Sequence, residues 1–195
     1  MAANPTREMT LDQWAAMDED EEGELVDGVL VEEEMPGWDH ELVVTWLSRI
    51  LGNYLAERGG FVFGSEGKFA VRPRRGRKPD ISVYLPGRKP PKMPRACDVP
   101  PDIVIEIVSP LARDQRRDRV EKVVDYAAFG VRWYWLVDPS LRTFEILELG
   151  ADGRYAHAAS ATDQRLDSVP GCDGLALDVP ALWAEIDRLE REGDS

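Results

Sequence analysis

Between Asp39 and Arg58 apolar side chains recur at Val43, Trp46, Leu47, Ile50, Leu51, Tyr54 and Leu55, and Gly59-Gly60 follows. Steps of three and four keep such residues on one helical face, so the segment predicts an amphipathic helix stopped by glycine. His40 falls at its start, on the face of Val43 and Leu47. A second helix is predicted from Arg113 to Phe129 through Val120, Val123, Val124, Ala127 and Ala128, with Gly130 as its stop. Thr10 and Gln13 form a capping box ahead of Leu11, Trp14 and Met17, and a last helix after Pro180 carries Leu182, Ile186 and Leu189.

Other stretches carry strand patterns. Glu24 to Glu32 reads ELVDGVLVE, apolar on both sides of Asp27-Gly28, the signal of a tight hairpin. Phe61 to Phe63, Lys68 to Arg72 and Asp80 to Leu85 are further candidates, the last alternating Ile81, Val83 and Leu85 with Ser82 and Tyr84. Six prolines from Pro86 to Pro101 predict a long stiff loop. Asp102 to Val108, DIVIEIV, is a β-branched run fit for a strand buried on both faces. Trp133 to Val137 and Thr143 to Leu149 follow, then a shorter strand near Tyr155, a loop over Ala159 to Ser168 and a turn at Gly171 to Gly174. Strands interleaved with helices predict an α/β domain.

Composition narrows the class. At 195 residues and 43% hydrophobic content the chain can build one sizeable core. Met1 to Arg7 lacks a basic-then-apolar leader, and no window approaches a membrane span, so a cytoplasmic location without a membrane partner is expected. Cys97 and Cys172 stand far apart without further cysteines, which excludes a disulfide framework or a thiolate zinc site.

The net charge of −13 argues against holding nucleic acid by bulk electrostatics. Its distribution changes that picture. Between Met17 and Glu34 there are ten acidic residues and no basic one, whereas Arg72 to Arg95 holds nine basic residues and a single acid, Asp80. Arg72, Arg74, Arg75, Arg77 and Lys78 precede Asp80 and are candidates to guide a phosphate backbone locally; a solubilising loop is the plainer reading.

Two carboxylates carry the candidate chemistry. Asp80 enters one predicted strand and Glu106 lies inside another, between Ile105 and Ile107. A glutamate there is costly unless it is paired, protonated or bound to a cation. Two carboxylates on adjacent strands suit Mg²⁺ or Mn²⁺, ions that stabilise charge on a phosphate under attack. Asp118, Lys122 and Tyr126 are spaced i, i+4, i+8 on the next helix, and that face would bring Lys122 to the acids if it turned back over the strand end. Alternatively, Asp118 and Lys122 form an exposed pair and Glu106 meets an arginine.

The segments KPDISVY, PPDIVIEIVSP and DRVEKVVDYAAFGVRWYWLVDPSLRTFEI, in that order, resemble the Uma2 family of nucleases (DUF820) within the PD-(D/E)XK superfamily. The resemblance extends back to ELVDGVLVE and His40, and covers most of Leu11 to Leu189. It implies a restriction-endonuclease-like fold, a central mixed β-sheet flanked by α-helices, as one domain over residues 8–191 with flexible ends at 1–7 and 192–195. It further implies a Mg²⁺-dependent (or Mn²⁺-dependent) endonuclease site acting on nucleic acid, with DNA as the expected substrate. Pro79-Asp80 matches the PD motif and Glu106 the acid of the second element. Val108 stands where the superfamily pattern has lysine, and Lys122 matches a lysine that Uma2-like sequences carry on the following helix. Glu24, His40 and Glu41 also fall at Uma2-like positions, as accessory residues. Two other readings stay open: a nuclease fold with little activity that serves as a binding or regulatory partner, and a homodimer whose interface includes Trp133. Cutting two opposed strands would itself favour a two-fold dimer.

Overall fold

A computed structural model of the chain describes residues 7–18, 23–31, 36–92, 95–109 and 116–193. The chain ends, much of the acidic run and the predicted start of the second long helix at Arg113 lie outside the described residues.

Glu24–Val26 (β1) and Val29–Val31 (β2) pair across a turn at Asp27 and Gly28, whose φ angles of 53° and 84° suit the predicted tight hairpin. The long helix α2 spans Trp38–Ala56 and buries Val43, Trp46, Leu47, Leu51 and Leu55, the predicted stripe. Phe61–Phe63 (β3), Phe69–Arg72 (β4), Ile81–Tyr84 (β6), Ile103–Ile107 (β7), Trp133–Asp138 (β8) and Thr143–Leu149 (β9) form near their predicted positions. The short helix α1, Leu11–Ala15, carries the Thr10–Gln13 capping box, and Val179–Gly193 forms the last helix, α4.

Three expectations are corrected. Arg75–Arg77 is a strand, β5, and not part of a loop. Its Arg-Gly-Arg sequence has no apolar alternation because its flanking arginines meet buried acids and its glycine faces an indole. Tyr155–Ala161 is a full strand, β10, which carries a bulge between His157 and Ala159 and takes up the start of the predicted loop. The second long helix presents Val120 and Val124 to solvent and buries Arg117, Asp118, Lys122, Asp125 and Tyr126. Arg117–Lys122 is wound as a π-helix that continues into α3, Val123–Phe129, and Gly130 ends it with φ 92°. Apolar spacing alone could not see that this helix packs by its charged face.

β10-β9-β8-β7-β6-β3 make a six-stranded sheet in which only β7 and β8 run parallel, and β2-β1-β5-β4 make a smaller antiparallel one. The parallel pair requires a crossover, which the π-helix and α3 provide. Alternation along β7 then divides the interior. Ile103, Ile105 and Ile107 join Ile81, Val83, Trp133, Trp135 and residues of α2 and α4 in the larger core. Val104 and Val108 join Phe69, Val71, Tyr126, Tyr134 and Leu136 on the opposite face, under α3 and β4. Trp133 is thus a core residue, not an exposed interface. Among the described residues no helix is long and apolar enough to cross a membrane.

Met9, Trp14 and Leu25 close a third cluster, and Trp14 Nε1 donates to the Gly23 carbonyl at 3.0 Å. Gly76 of β5 lies against the Trp14 ring so closely that any Cβ there would overlap it. Gly76→Ala should destabilise the protein by about 1–3 kcal/mol through overpacking. A lowered chemical-denaturation midpoint with an unchanged slope is the expected result.

Candidate active site

β6 and β7 are antiparallel with Ile81 opposite Ile105, so one further step along the ladder brings Asp80 opposite Glu106. Side chains directly opposed in this way share a face and lie close together. The Ile107 N–H donates to Asp80 Oδ2 at 2.7 Å, which fixes the aspartate at the strand end. Its other oxygen, Oδ1, lies 3.1 Å from His40 Nε2 in the first turn of α2. Burial depresses the His40 imidazole, but the hydrogen bond and charge of Asp80 outweigh it and raise the group above its ordinary value. Glu41 is half exposed and lies 3.6 Å from the other imidazole nitrogen.

Glu106 is 2% exposed. Lys122 donates to its Oε2 at 2.8 Å, and the Tyr126 hydroxyl donates to Oε1 at 2.5 Å. Lys122 also lies 3.2 Å from Asp118 and 3.7 Å from Glu24. The π-helix therefore turns back over the sheet, as the i, i+4, i+8 spacing allowed, and delivers a cation to a buried acid. Burial raises Glu106 well above the usual carboxylate range; Lys122 opposes this, while Asp80, Asp118 and Glu24 push it further up. Burial also raises Asp118, against the pull of Lys122. Glu24 behaves oppositely, because Lys122 and Arg77 overcome its burial and hold it below the usual range.

Of the five basic residues ahead of Asp80, Arg75 and Arg77 are engaged inside the protein. Arg77 is fully buried, donating to Glu24 at 2.5 Å and to Asp125 at 2.6 Å. Arg75 bonds Asp27 and Asp125. Lys78 gives its backbone N–H to Glu24, and its ammonium lies 3.5 Å from Glu66. Arg72 and Arg74 stay exposed, Arg72 within 3.5 Å of Asp125 and Arg74 bonded to the Asp27 carbonyl. The expectation that all five line a phosphate-guiding cleft is revised: Arg77 is an internal counter-ion, because β5 places it beneath β1 and α3.

The structure brings together Asp80, Glu106, Lys122, Glu24 and His40 of the expected residues. Sequence reading had aligned Asp118 and Tyr126 with Lys122 but gave neither a role, although their common helical face was the available signal. Asp125 carried no signal at all.

Among the described residues no group of three His, Cys, Asp or Glu side chains sits at ligand spacing. The protein's candidate donors for a divalent ion are then the Asp80–Glu106 pair. That number suits Mg²⁺, which keeps several waters and commonly uses one or two carboxylates. A carboxylate has about four acceptor positions, so Glu106 keeps capacity beyond Lys122 and Tyr126. Its surroundings, rich in carboxylates, would also gain from added positive charge.

A mixed sheet flanked by helices, with acids facing each other at the end of two adjacent strands, is the arrangement of the restriction-endonuclease-like class of nuclease folds, and the lysine on the following helix is this chain's departure from the class pattern. The chain belongs to the Uma2 family, whose sequence model, described as "Putative restriction endonuclease", matches residues 9–180. Among solved structures it is similar to "a putative nuclease belonging to DUF820" from Anabaena variabilis, with a TM-score of 0.73 and 21% identity over 90% of this chain and 98% of that one. That likeness concerns the fold. No curated protein matches the chain.

Arg77→Ala leaves Glu24 and Asp125 without their shared cation and should cost about 3–5 kcal/mol, read from the denaturation free energy. Glu106 has a folded pKa above its unfolded value of about 4.3. Its stability contribution is therefore fully present below that pH and is lost as pH rises through the folded value. In chelator-containing buffer, Glu106→Gln should match the wild type at the acid end and become progressively more stable than it above that pH. A gap that narrowed with rising pH would show the sign to be wrong.

Proposed function

We propose that the protein is a Mg²⁺- or Mn²⁺-dependent endonuclease that hydrolyses DNA phosphodiester bonds. The observation that carries this reading is the Lys122–Glu106 contact of 2.8 Å, buried one ladder step across from Asp80. Asp80 and Glu106 would hold the ion, which when bound supplies charge stabilisation at the phosphoryl group and acidifies water. The Ile107 amide already fixes one Asp80 oxygen, and the ion would share the other with His40. Lys122 keeps a positive charge beside the acids, where it can stabilise charge developing on the attacked phosphate. His40, whose Nε2 lies 3.1 Å from Asp80 Oδ1, holds the second oxygen of that carboxylate. Glu24 anchors Lys122 from behind, and Glu41 completes the rim.

The acidic surface is compatible with DNA if contact is local. Of the five basic residues ahead of Asp80, Arg72, Arg74 and Lys78 are those left to follow a backbone. Three phosphate contacts imply a log–log salt dependence no steeper than roughly −3. Cleavage of both strands would use two copies, one active site per strand.

A second reading is favoured by one observation: both Glu106 oxygens already accept internal hydrogen bonds. A nuclease fold with little activity, acting as a binding or regulatory partner, would look the same.

Mn²⁺ titration followed by cleavage of plasmid, linear and single-stranded DNA separates the two. In the enzyme, Asp80→Ala and Glu106→Ala lose both metal binding and cleavage, whereas Lys122→Ala keeps metal and loses most of the cleavage rate. Metal binding without cleavage of any substrate would favour the partner. Absence of metal binding in the wild type would end the metal-dependent reading.

A further inference from the structure

We propose that Tyr126 is a positioning residue for Glu106, fixing the carboxylate in the orientation from which it takes a divalent cation together with Asp80. The inference rests on the metal-dependent reading above. Tyr126 is 1% exposed, so it acts through Glu106 and not on substrate.

Lys122 alone cannot orient the carboxylate. Its ammonium is a compact charge on a flexible stem, and it is shared among Glu106, Asp118 and Glu24. The terminal torsion of a glutamate is broad, so one donor leaves the carboxylate plane loosely set. A second donor on the other oxygen sets it.

The phenol is itself held. The Tyr126 ring lies 5.2 Å from that of Tyr134, which lies 5.9 Å from that of Tyr155. The two supporting hydroxyls are anchored to backbone carbonyls, Tyr134 to Asp118 at 3.0 Å and Tyr155 to Val131 at 2.6 Å. A row of buried rings therefore presents one hydroxyl to Glu106 from a fixed point. The Asp118 anchor also ties the row to the π-helix that carries Lys122, so both donors to Glu106 share one support.

Removing the hydroxyl leaves Oε1 buried without this donor and frees the carboxylate to turn away from Asp80. Loss of such a supporting hydrogen bond typically weakens metal binding by roughly 10- to 100-fold.

Tyr126→Phe tests this with the ring retained, and Tyr84→Phe serves as the control, since it deletes another buried hydroxyl, one that is bonded to the Val99 carbonyl and stands outside the row of rings. The full-length variants are titrated with Mn²⁺, free ion being read by electron paramagnetic resonance, and their metal-free melting temperatures are compared. The expected result is Mn²⁺ binding weakened roughly 10- to 100-fold in Tyr126→Phe and kept at the wild-type affinity in Tyr84→Phe. Wild-type affinity in Tyr126→Phe overturns the positioning role while the metal site stands. Equal weakening in both variants also overturns it, because general loosening would then be the cause. A wild type that binds no Mn²⁺ overturns the metal-dependent reading, and this inference with it.

Discussion

Glu106 is a charge-bearing group in the middle of a strand whose five residues are all buried, and the contact with Lys122 makes that position tenable. Neither partner could be taken out of water alone. Satisfying the pair imposes conditions on its neighbours. The helix after β7 must come back over the sheet to deliver Lys122. Tyr126 must occupy the second oxygen. Asp118 and Glu24 must stand close enough to share the ammonium, and Glu24 then requires Arg77, which requires Asp125. The small sheet is joined to the helix through this chain of charges as much as through apolar contact.

The two faces of the large sheet divide the work. One is covered by α2 and α4 over a continuous apolar core of Ile, Val, Leu and Trp side chains, where burial supplies most of the stabilisation. The other mixes a smaller apolar cluster with the buried charges. Buried ion pairs are weak contributors to stability because desolvation offsets their attraction. Their clustering beside Asp80 is what the proposed metal-dependent chemistry would use, and the apolar face leaves the protein stable enough to tolerate them.

Much of this was legible in the residues. The stripe from Val43 to Leu55, the Asp27-Gly28 turn and the DIVIEIV run each carry one unambiguous period or turn signal, and each forms as read. Glu106 was legible because an acid in a β-branched run is an anomaly, and Asp80 because Pro79-Asp80 stands in the order of the family's motifs. The failures share a cause. Arg75–Arg77 looked like a solvated loop and the buried face of the second long helix looked like its outside, because both bury charge against charge. Periodicity registers apolar residues only, so an ion-paired interior is silent to it. Arg77 could be recognised as internal only once β5 was placed between β1 and β4.

The π-helical winding of Arg117–Lys122 bears on how this site can change over evolutionary time. Such winding is uncommon and often marks a functional position. A π turn holds one residue more than an α turn, so rewinding the segment as α-helix at unchanged length would rotate its N-terminal end by roughly 100° relative to α3. Asp118, and the carbonyl that anchors Tyr134, would leave the buried face together. Side chains on the outer surface, such as the exposed Val120, are open to replacement. Winding and length are tied instead: a return to α-helical winding keeps the register only together with the loss of one residue, and either change alone turns the charged face away from the sheet.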